Sequence, residues 1–561
     1  MSLLTIKPFN KELNIVVAYT FGKQGIGKDG KLPWSIPEDM THFKHITKPK
    51  DNDTTTFSIL VMGRKTWESI PELFKPLPKR YNVILSNDEH YRLEQNTIYD
   101  FGKMLKTEEN IPKNTGVFFT TWDNFINEDY YKIEMIINQS QTKNENTTTI
   151  TNKFNYYVIG GEQIYKKALD SNLNITLYTT EIYSIDKREI ECDSFFPTLL
   201  NLTNTNTNTL TTITSVSPFH TSRFVDKNNN YYVYRFINYY IQNKNTHDTY
   251  DSYYLNNIFP FKSSEDEYLS LMRNILYSGT SNDDRTGVGT LSLFGSMLKY
   301  DLRDTFPLCT TKRMFFRAIF EELMFYLSGK TDNKILQAKG IHVWDGNTSR
   351  EFLDKRGLSH YEEGDMGQTY GFNYRHFGGE YKGCGADYGL ETDTHVGYDQ
   401  VANIIHLIKN EPSSRRIIID LWDSSTIDKA ALPSCLCKYQ FNVNTNKKEL
   451  NLAIYLRSSD FFLANNWNST CGALFVHLLC NMEGIDLTPG ELTVFIADAH
   501  LYKSHIDQVK LNLERQPLPF PKLLIKLMNG EKKKNILDFK FEDLNLIGYK
   551  SYPNIKAEMA I

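Results

Sequence analysis

The chain has 561 residues, 40% of them hydrophobic and 13% aromatic, which is enough for more than one packed core; at about 150 residues per domain the starting estimate is roughly three to four units. Its 63 Lys and Arg against 67 Asp and Glu give a net charge of −4, so the basic footprint of a phosphate-backbone binder is missing and nucleic acid is disfavoured as a partner. No apolar run approaches the ~20 residues of a membrane span, and Lys7, Lys11 and Glu12 come before any apolar stretch, so neither a membrane segment nor a secretory leader is expected.

Seven irregularly spaced cysteines make no disulfide framework, which predicts reduced thiols and a cytoplasmic location. Cys435 and Cys437 are the only close pair, without a second pair or a His cluster, so no metal site is expected.

In chain order, β-rich runs at 14–19, 57–62, 82–86, 156–159 and 176–180 alternate with plausible helices, a pattern that predicts a doubly wound, mainly parallel α/β sheet. Two Asn/Thr-rich tracts, 138–153 and 201–214, hold almost nothing to bury and read as mobile surface insertions. A tyrosine-rich run at 231–236 reads as a closing strand, which ends a first domain at 237, and a linker follows over 238–264. From Glu265 the texture changes: DEYLSLMRNILYSG and FRAIFEELMFYLSG carry apolar residues at helical spacing up to Gly279 and Gly329, opening a larger α+β domain over 265–561.

Three segments of the first domain suggest chemistry. Residues 26–43, IGKDGKLPWSIPEDMTHF, place Asp39 in the first turns of a helix among apolar neighbours, which by itself is most often a solvated cap. MGRKTWESIP at 62–71 puts Gly63, Arg64, Lys65 and Thr66 at a strand-to-helix turn suited to phosphate, and VIGGEQIY at 158–165 offers two glycines for close backbone approach. Downstream, RTGVGTLSLFG (285–295), FPLCTTKR, VWDGN, YGFNYRHFG, RRIII, RSSD and DAHLYKSH set several arginines around one cysteine, Cys435. A free cysteine is more often an inert apolar residue, but nearby arginines would favour a thiolate nucleophile.

Taken in order with LPKRYNVILSN at 77–87, the first segments resemble dihydrofolate reductase over residues 10–237. That resemblance implies NADPH as cofactor and Asp39 as the acid under the pteridine of dihydrofolate. It implies Val17, Phe43, Ile70, Arg80, Ile159 and Thr180 around the folate, with Arg80 gripping the tail carboxylate. NADPH would lie against Ala18, Ile26, Gly27, Leu32, Gly63, Arg64, Lys65, Thr66, Ser86, Gly160, Gly161, Glu162, Gln163, Ile164 and Tyr165.

The later segments, with the ending YPNIKAEMAI, resemble thymidylate synthase over 265–561, and the tandem order resembles the bifunctional dihydrofolate reductase-thymidylate synthases. By that resemblance Cys435 adds to the pyrimidine of dUMP, which then captures the one-carbon unit of 5,10-methylenetetrahydrofolate, and Glu322 belongs to the proton-transfer network. Arg285, Arg457, Ser458, Asp460, Asn468, His500 and Tyr502 are implied dUMP contacts, joined by Arg415 and Arg416 from the partner subunit of a homodimer; Trp344, Asn347 and Asp460 are implied folate contacts.

The chain departs from the synthase pattern at Ser434, Leu436, Leu456, Ala464, Asn465, Asn466, Trp467 and Ala497, where a His, a Gln, a Pro, a Phe and glycines are usual. Each lost buried hydrogen bond would cost about 1 to 3 kcal/mol. Two readings of the second half therefore stand at this point: an active synthase, or a non-catalytic scaffold for dimerisation or nucleotide and RNA binding beside an active reductase.

Overall fold

The computed structural model describes residues 9, 11–99, 114–141, 152–185, 189–197, 209–222, 232–243, 263–284, 286–388, 396–527 and 530–558. It divides into two compact units, 1–261 and 262–561.

In the first unit the chain forms β1 (Leu13–Thr20), β2 (Gly25–Gly27), a helix Pro37–Thr47, β3 (Thr56–Gly63), a short helix Arg64–Ser69, β4 (Tyr81–Leu85), β5 (Gly116–Thr120), β6 (Lys153–Gly160), a helix Glu162–Leu169, β7 (Ile175–Ser184), β8 (Ser194–Phe195), β9 (Thr209–Val216), β10 (His220–Thr221) and β11 (Tyr232–Asn243). The main sheet has the order β10-β11-β7-β1-β6-β3-β4-β5, with β9 beside β11. Strands β3 to β7 and β1 run parallel, whereas β9, β10 and β11 are antiparallel additions at one edge.

Both faces are covered, because successive residues of a strand point to opposite sides. Leu13, Ile15, Val17, Ile59, Val61, Val83 and Val158 pack on one face, and Val16, Leu60, Met62, Ile84 and Tyr157 on the other. The carboxyl ends of β1, β3, β4 and β6 thus open at one edge of a rigid sheet, where doubly wound folds bind ligands.

The Asn/Thr tracts are more ordered than composition suggests. Residues 209–214 of the expected insertion belong to β9, whose β-branched threonines pair with β11 over Ile237–Asn243. The helix Tyr130–Gln141 takes up 138–141, and residue 153 opens β6; 142–151 and 201–208 lie outside the described residues. Strand β11 runs to Asn243, past the expected domain end at 237, because it pairs with β7 over Tyr232–Ile241 and with β9 to Asn243; 244–262 lie outside the described residues. Strand β5 has no counterpart in the expected elements.

The second unit contains helices Asp266–Ser278, Phe316–Leu327, Tyr370–Arg375 and Asn465–Cys480, and a sheet of β12 (Thr280–Asn282), β13 (Thr290–Asp301), β14 (Ile418–Asp420), β15 (Leu436–Asn444), β16 (Glu449–Asp460) and β17 (Thr488–Tyr502) in the order β12-β13-β17-β16-β15-β14. One sheet face packs Leu452, Ile454, Leu492 and Val494 on the 465–480 helix, where Leu474, Phe475, Leu478 and Leu479 are buried. The opposite face leaves Met297, Tyr455 and Phe495 at 50%, 44% and 44% exposure. These three are lateral neighbours, since Phe495 is in register with both Met297 and Tyr455. Among the described residues no helix is long and apolar enough to cross a membrane.

The β7–β11 register is pinned by a buried ion pair. Glu181 accepts from Arg235 Nε at 3.2 Å and Nη2 at 3.0 Å, from Tyr19 at 3.2 Å and from Tyr183. Arg235 and Glu181 are also register partners, next to Phe236 and Thr180. Removing one member of a buried pair strands the other. Arg235→Met is expected to destabilise the first unit by about 3 to 5 kcal/mol in denaturant unfolding, and Tyr183→Phe by about 1 kcal/mol.

Candidate active sites

At the carboxyl ends of the parallel strands lies a cleft of about 1540 Å³. Asp39 is on its floor, 7% exposed, in the first turn of the Pro37–Thr47 helix, and Thr180 Oγ1 from β7 donates to its Oδ1 at 2.6 Å. Burial pushes the carboxyl up to about 6, and the Thr180 bond offsets part of that rise. The sequence reading as a solvated cap is therefore replaced by a desolvated acid that can carry a proton near neutral pH.

The wall beside it holds Arg80, which is buried and pulled down to about 10 by loss of solvent. It donates through Nη1 to Thr47 at 2.9 Å and through Nε to the Pro78 carbonyl at 3.2 Å, and its guanidinium lies 5.8 Å from the Phe43 ring. Phe43, Ile70, Ile159, Val17 and Thr180 line the same cleft.

Every residue expected along the cofactor lines it as well: Ala18, Ile26, Gly27 and Leu32 near β1 and β2; Gly63, Arg64, Lys65 and Thr66 after β3; Ser86 after β4; and residues 160–165 after β6. Gly63 and Gly161 occupy the N-caps of the two helices that follow, so no side chain covers those first amides. At Gly160, φ is +145° and an added Cβ would lie 2.9 Å from Thr66 Oγ1, so the backbone here leaves room only for hydrogen. Open amides and a glycine cradle fit a dinucleotide pyrophosphate. Arg64 is already engaged, giving Nε to Glu68 at 2.7 Å and Nη1 to Asp88 at 3.0 Å over the Tyr91 ring.

In the second unit, the ends of β15, β16 and β17 bring the expected residues together. Cys435 precedes β15; Arg457, Ser458 and Asp460 end β16; His500 and Tyr502 end β17, with Ser458 opposite Asp498 and Asp460 opposite His500. Arg457 Nη2 lies 3.7 Å from Cys435 Sγ while its Nε and Nη2 hold the Ser434 and Pro433 carbonyls, each at 2.9 Å. A cavity of about 540 Å³ is lined by Ser458, His500, Tyr502, Asp498, Asp284, Thr290 and others, although Cys435 is not part of its wall. His500 and Ser458 both contact Asp498, at 3.2 and 3.4 Å, and the His500 bond holds that carboxyl below its ordinary range. Arg415 and Arg416 are exposed just before β14, and Arg285 lies outside the described residues.

Glu322, on the Phe316–Leu327 helix, is buried, and burial raises its pKa against three donors. Trp344 Nε1 and Tyr326 Oη reach its Oε1, each at 2.9 Å, and Trp467 Nε1 reaches its Oε2 at 2.5 Å. Asn347 is buried one turn after Trp344, whereas Asn468 is half-buried beside Trp467 at the start of the 465–480 helix. Sequence reasoning missed Tyr370, whose hydroxyl accepts the Cys435 amide at 2.8 Å, and also Tyr326, Asp498 and the donor role of Trp467. The available signal was that buried tyrosine and tryptophan polar atoms need partners.

The departures look different in place. Leu436 and Leu456 are register partners, both buried in the core, so the two positions where His and Gln are usual now form an apolar contact, and neither leucine brings a polar atom that needs a partner. Asn466 Nδ2 has found Cys309 Sγ at 2.7 Å, while both amide atoms of buried Asn465 lack partners.

A raised acid makes folding pH-dependent. Asp39 binds its proton more tightly folded than unfolded, so its contribution is fully favourable below its unfolded value near 3.8 and is lost as pH rises through about 6. Asp39→Asn is expected to stabilise the first unit at pH 7 by up to about 3 kcal/mol, with the gain vanishing below about pH 4, in thermal unfolding scans across pH.

Two family models match the chain, dihydrofolate reductase over residues 12–118 and thymidylate synthase over 266–561. The bifunctional dihydrofolate reductase-thymidylate synthase of Zea mays is 35% identical over 98% of this chain and 97% of its own length. That of Paramecium tetraurelia is 34% identical over 98% and 99%, and that of Leishmania major 34% identical over 99% and 96%.

Proposed function

Because the chain belongs to the bifunctional dihydrofolate reductase-thymidylate synthase family, we propose that the cleft around Asp39 is its reductase site and the strand ends around Cys435 its synthase site. The chain is an oxidoreductase and a methyltransferase of folate and nucleotide biosynthesis, using NADPH in the first half and 5,10-methylenetetrahydrofolate in the second. The non-catalytic reading of the second half is not favoured. The observation that carries the assignment is the convergence of the expected reductase residues on one cleft floored by a buried acid, with its counterpart in the arginine beside Cys435.

In the reductase half, NADPH supplies hydride when bound. Gly63, Gly160 and Gly161 leave backbone amides that would hold its pyrophosphate, while Arg64, Lys65 and Ser86, which line the same cleft, would hold the extra phosphate. Asp39, fixed by Thr180, accepts hydrogen bonds from the amino face of the pteridine and helps protonate it, which makes the ring a better hydride acceptor. Arg80 offers its guanidinium to the tail carboxylate.

In the synthase half, the Arg457 guanidinium favours negative charge on the Cys435 sulfur, which adds to the pyrimidine ring of dUMP. The ring then carries enolate character and takes the one-carbon unit; the folate itself gives up hydride and leaves as dihydrofolate. Ser458, His500 and Tyr502 face the nucleotide, Asn468 reads its base, and Arg285 and Arg457 bind its phosphate. Glu322, beside Trp344 and Asn347 on the folate side, relays protons.

A homodimer, through the exposed sheet face, completes this site. Phe294, on the same strand as Met297, is 86% exposed, and exposed Arg415 and Arg416 would add two guanidinium groups to the partner's phosphate site. The cytoplasm suits seven unbonded cysteines.

Separable losses test the assignment. Cys435→Ser is expected to reduce dTMP formation to background with NADPH-dependent dihydrofolate reduction intact, and Asp39→Ala to lower the reductase rate at least about a hundredfold with dTMP formation intact. Loss of both activities in either variant would overturn the division. Tyr455→Asp with Phe495→Asp should shift the protein to monomer in sedimentation and abolish dTMP formation alone.

A further inference from the structure

The residue at 467 is a Phe in the usual synthase pattern, and here a Trp turns its indole N–H onto Glu322. The geometry explains what this adds. Oε1 of Glu322 already holds two donors, Tyr326 Oη and Trp344 Nε1, and the single Trp344 N–H is shared with Tyr326 Oη at 2.8 Å. On Oε2, Trp467 is the only hydrogen-bond donor among the described residues, and its N–H is given to that oxygen undivided at 2.5 Å. An indole N–H can only donate, so the bond is stronger to a carboxylate oxygen than to a protonated acid and favours the charged form. Trp467 sits in the first turn of the Asn465–Cys480 helix, one residue before Asn468, so it also ties the base-reading end of that helix to the Glu322 helix.

We propose that Trp467 is a positioning residue of the synthase reaction: with Tyr326, which adds a hydroxyl on the other oxygen, it fixes the Glu322 carboxyl in one orientation and favours its charged form for proton relay. This rests on the assignment of Glu322 above. The other titratable groups around Glu322 are Tyr326 on its own helix, Tyr370 and Tyr374 on the Tyr370–Arg375 helix, and Cys471 on the Asn465–Cys480 helix. Burial raises all four, so they stay neutral through the neutral range, and no cation acts on Glu322 among the described residues. Of these groups Glu322 is the one that can give an acid limb, and a limb set by the Cys435 thiol would not move when a donor to Glu322 is removed.

The test is the pH dependence of kcat and KM for dTMP formation in the full-length protein. Trp467→Phe keeps the ring and removes the donor. The acid limb of kcat should move up by about one pH unit, so that kcat falls by up to about tenfold on the acid side and recovers at higher pH, with KM for dUMP within about twofold. Tyr326→Phe, which removes a donor from the other oxygen, should move the limb in the same direction and provides the second measurement if Trp467→Phe folds poorly, as judged by its dUMP binding. An equal loss of kcat at every pH, or a wild-type profile in both variants, overturns the proposal. Glu322→Gln separates the two levels: a wild-type rate and profile in that variant overturns the assignment of Glu322 itself, whereas a collapsed rate there beside a wild-type profile in Trp467→Phe overturns only the role of Trp467.

Discussion

A carboxyl group taken out of water loses several kcal/mol of hydration unless donors replace it, and each half of this chain is built around such groups. Where the donors saturate the carboxyl, it serves the fold. Glu181 has Arg235, Tyr19 and Tyr183, and Glu265 takes both the amides and the hydroxyls of Thr310 and Thr311. Where the donors fall short, acceptor capacity is left for chemistry. Asp39 has a single side-chain donor among the described residues, Thr180, and is pushed up to about 6, so that it can exchange a proton near neutrality. Glu322 lies between these cases, with three neutral donors and no cation among the described residues.

The scaffold elements follow from the same constraint. Thr180 reaches Asp39 because β7 is held between β1 and β11, and β11 is held in register by the Arg235–Glu181 pair one residue along. A structural ion pair thus sets the position of the donor to the reactive acid. In the second unit the three strands β15, β16 and β17 have their reactive residues at one end because their opposite faces alternate between core and surface: Leu456 turns inward, while Arg457 and Ser458 remain half-buried at the strand end. The slightly negative charge of the whole chain is compatible with anionic ligands because the cations are local. Arg80, Arg457 and Arg64 are each held by hydrogen bonds to specific neighbours.

What the sequence made legible was the chemistry carried by turns. Glycines and cations between strand and helix, such as 63–66 and 160–161, have few structural reasons to occur together, so order and spacing identified the cleft lining. Contacts between residues distant in sequence were not legible. Asp39 read as a solvated cap because its desolvation comes from β7 and the cleft walls. The threonines of 209–214 read as an insertion because only pairing with β11 supplies the context in which β-branched residues favour a strand. Tyr370 had no assigned role and Trp467 stood only as a departure from the usual pattern, since composition does not say where a hydroxyl or an indole N–H will point. Strand β11 was cut short at 236 because the tail of the run, residues 238–243, is rich in Asn and Gln and shows no alternation until its partners are known.

The substitutions in the synthase half illustrate how a polar site can change without losing its function. A hydrogen-bonded pair is expensive to break from one side and nearly neutral to replace from both. Leu436 and Leu456 face each other across β15 and β16, so His and Gln positions of the usual pattern have been exchanged together for an apolar contact inside the core. Asn466 stands where a Pro is usual but finds the Cys309 thiol, and Trp467 brings its N–H to the Glu322 carboxyl. Asn465 is the exception, buried with both amide atoms unpaired at the first turn of the helix. Its cost falls on the stability of that turn and not on the reacting groups, because Cys435, Arg457 and Asn468 keep their places at the strand ends and helix start. The polar substitutions thus cluster around the supports of the site, while the residues that would touch the nucleotide keep their identity.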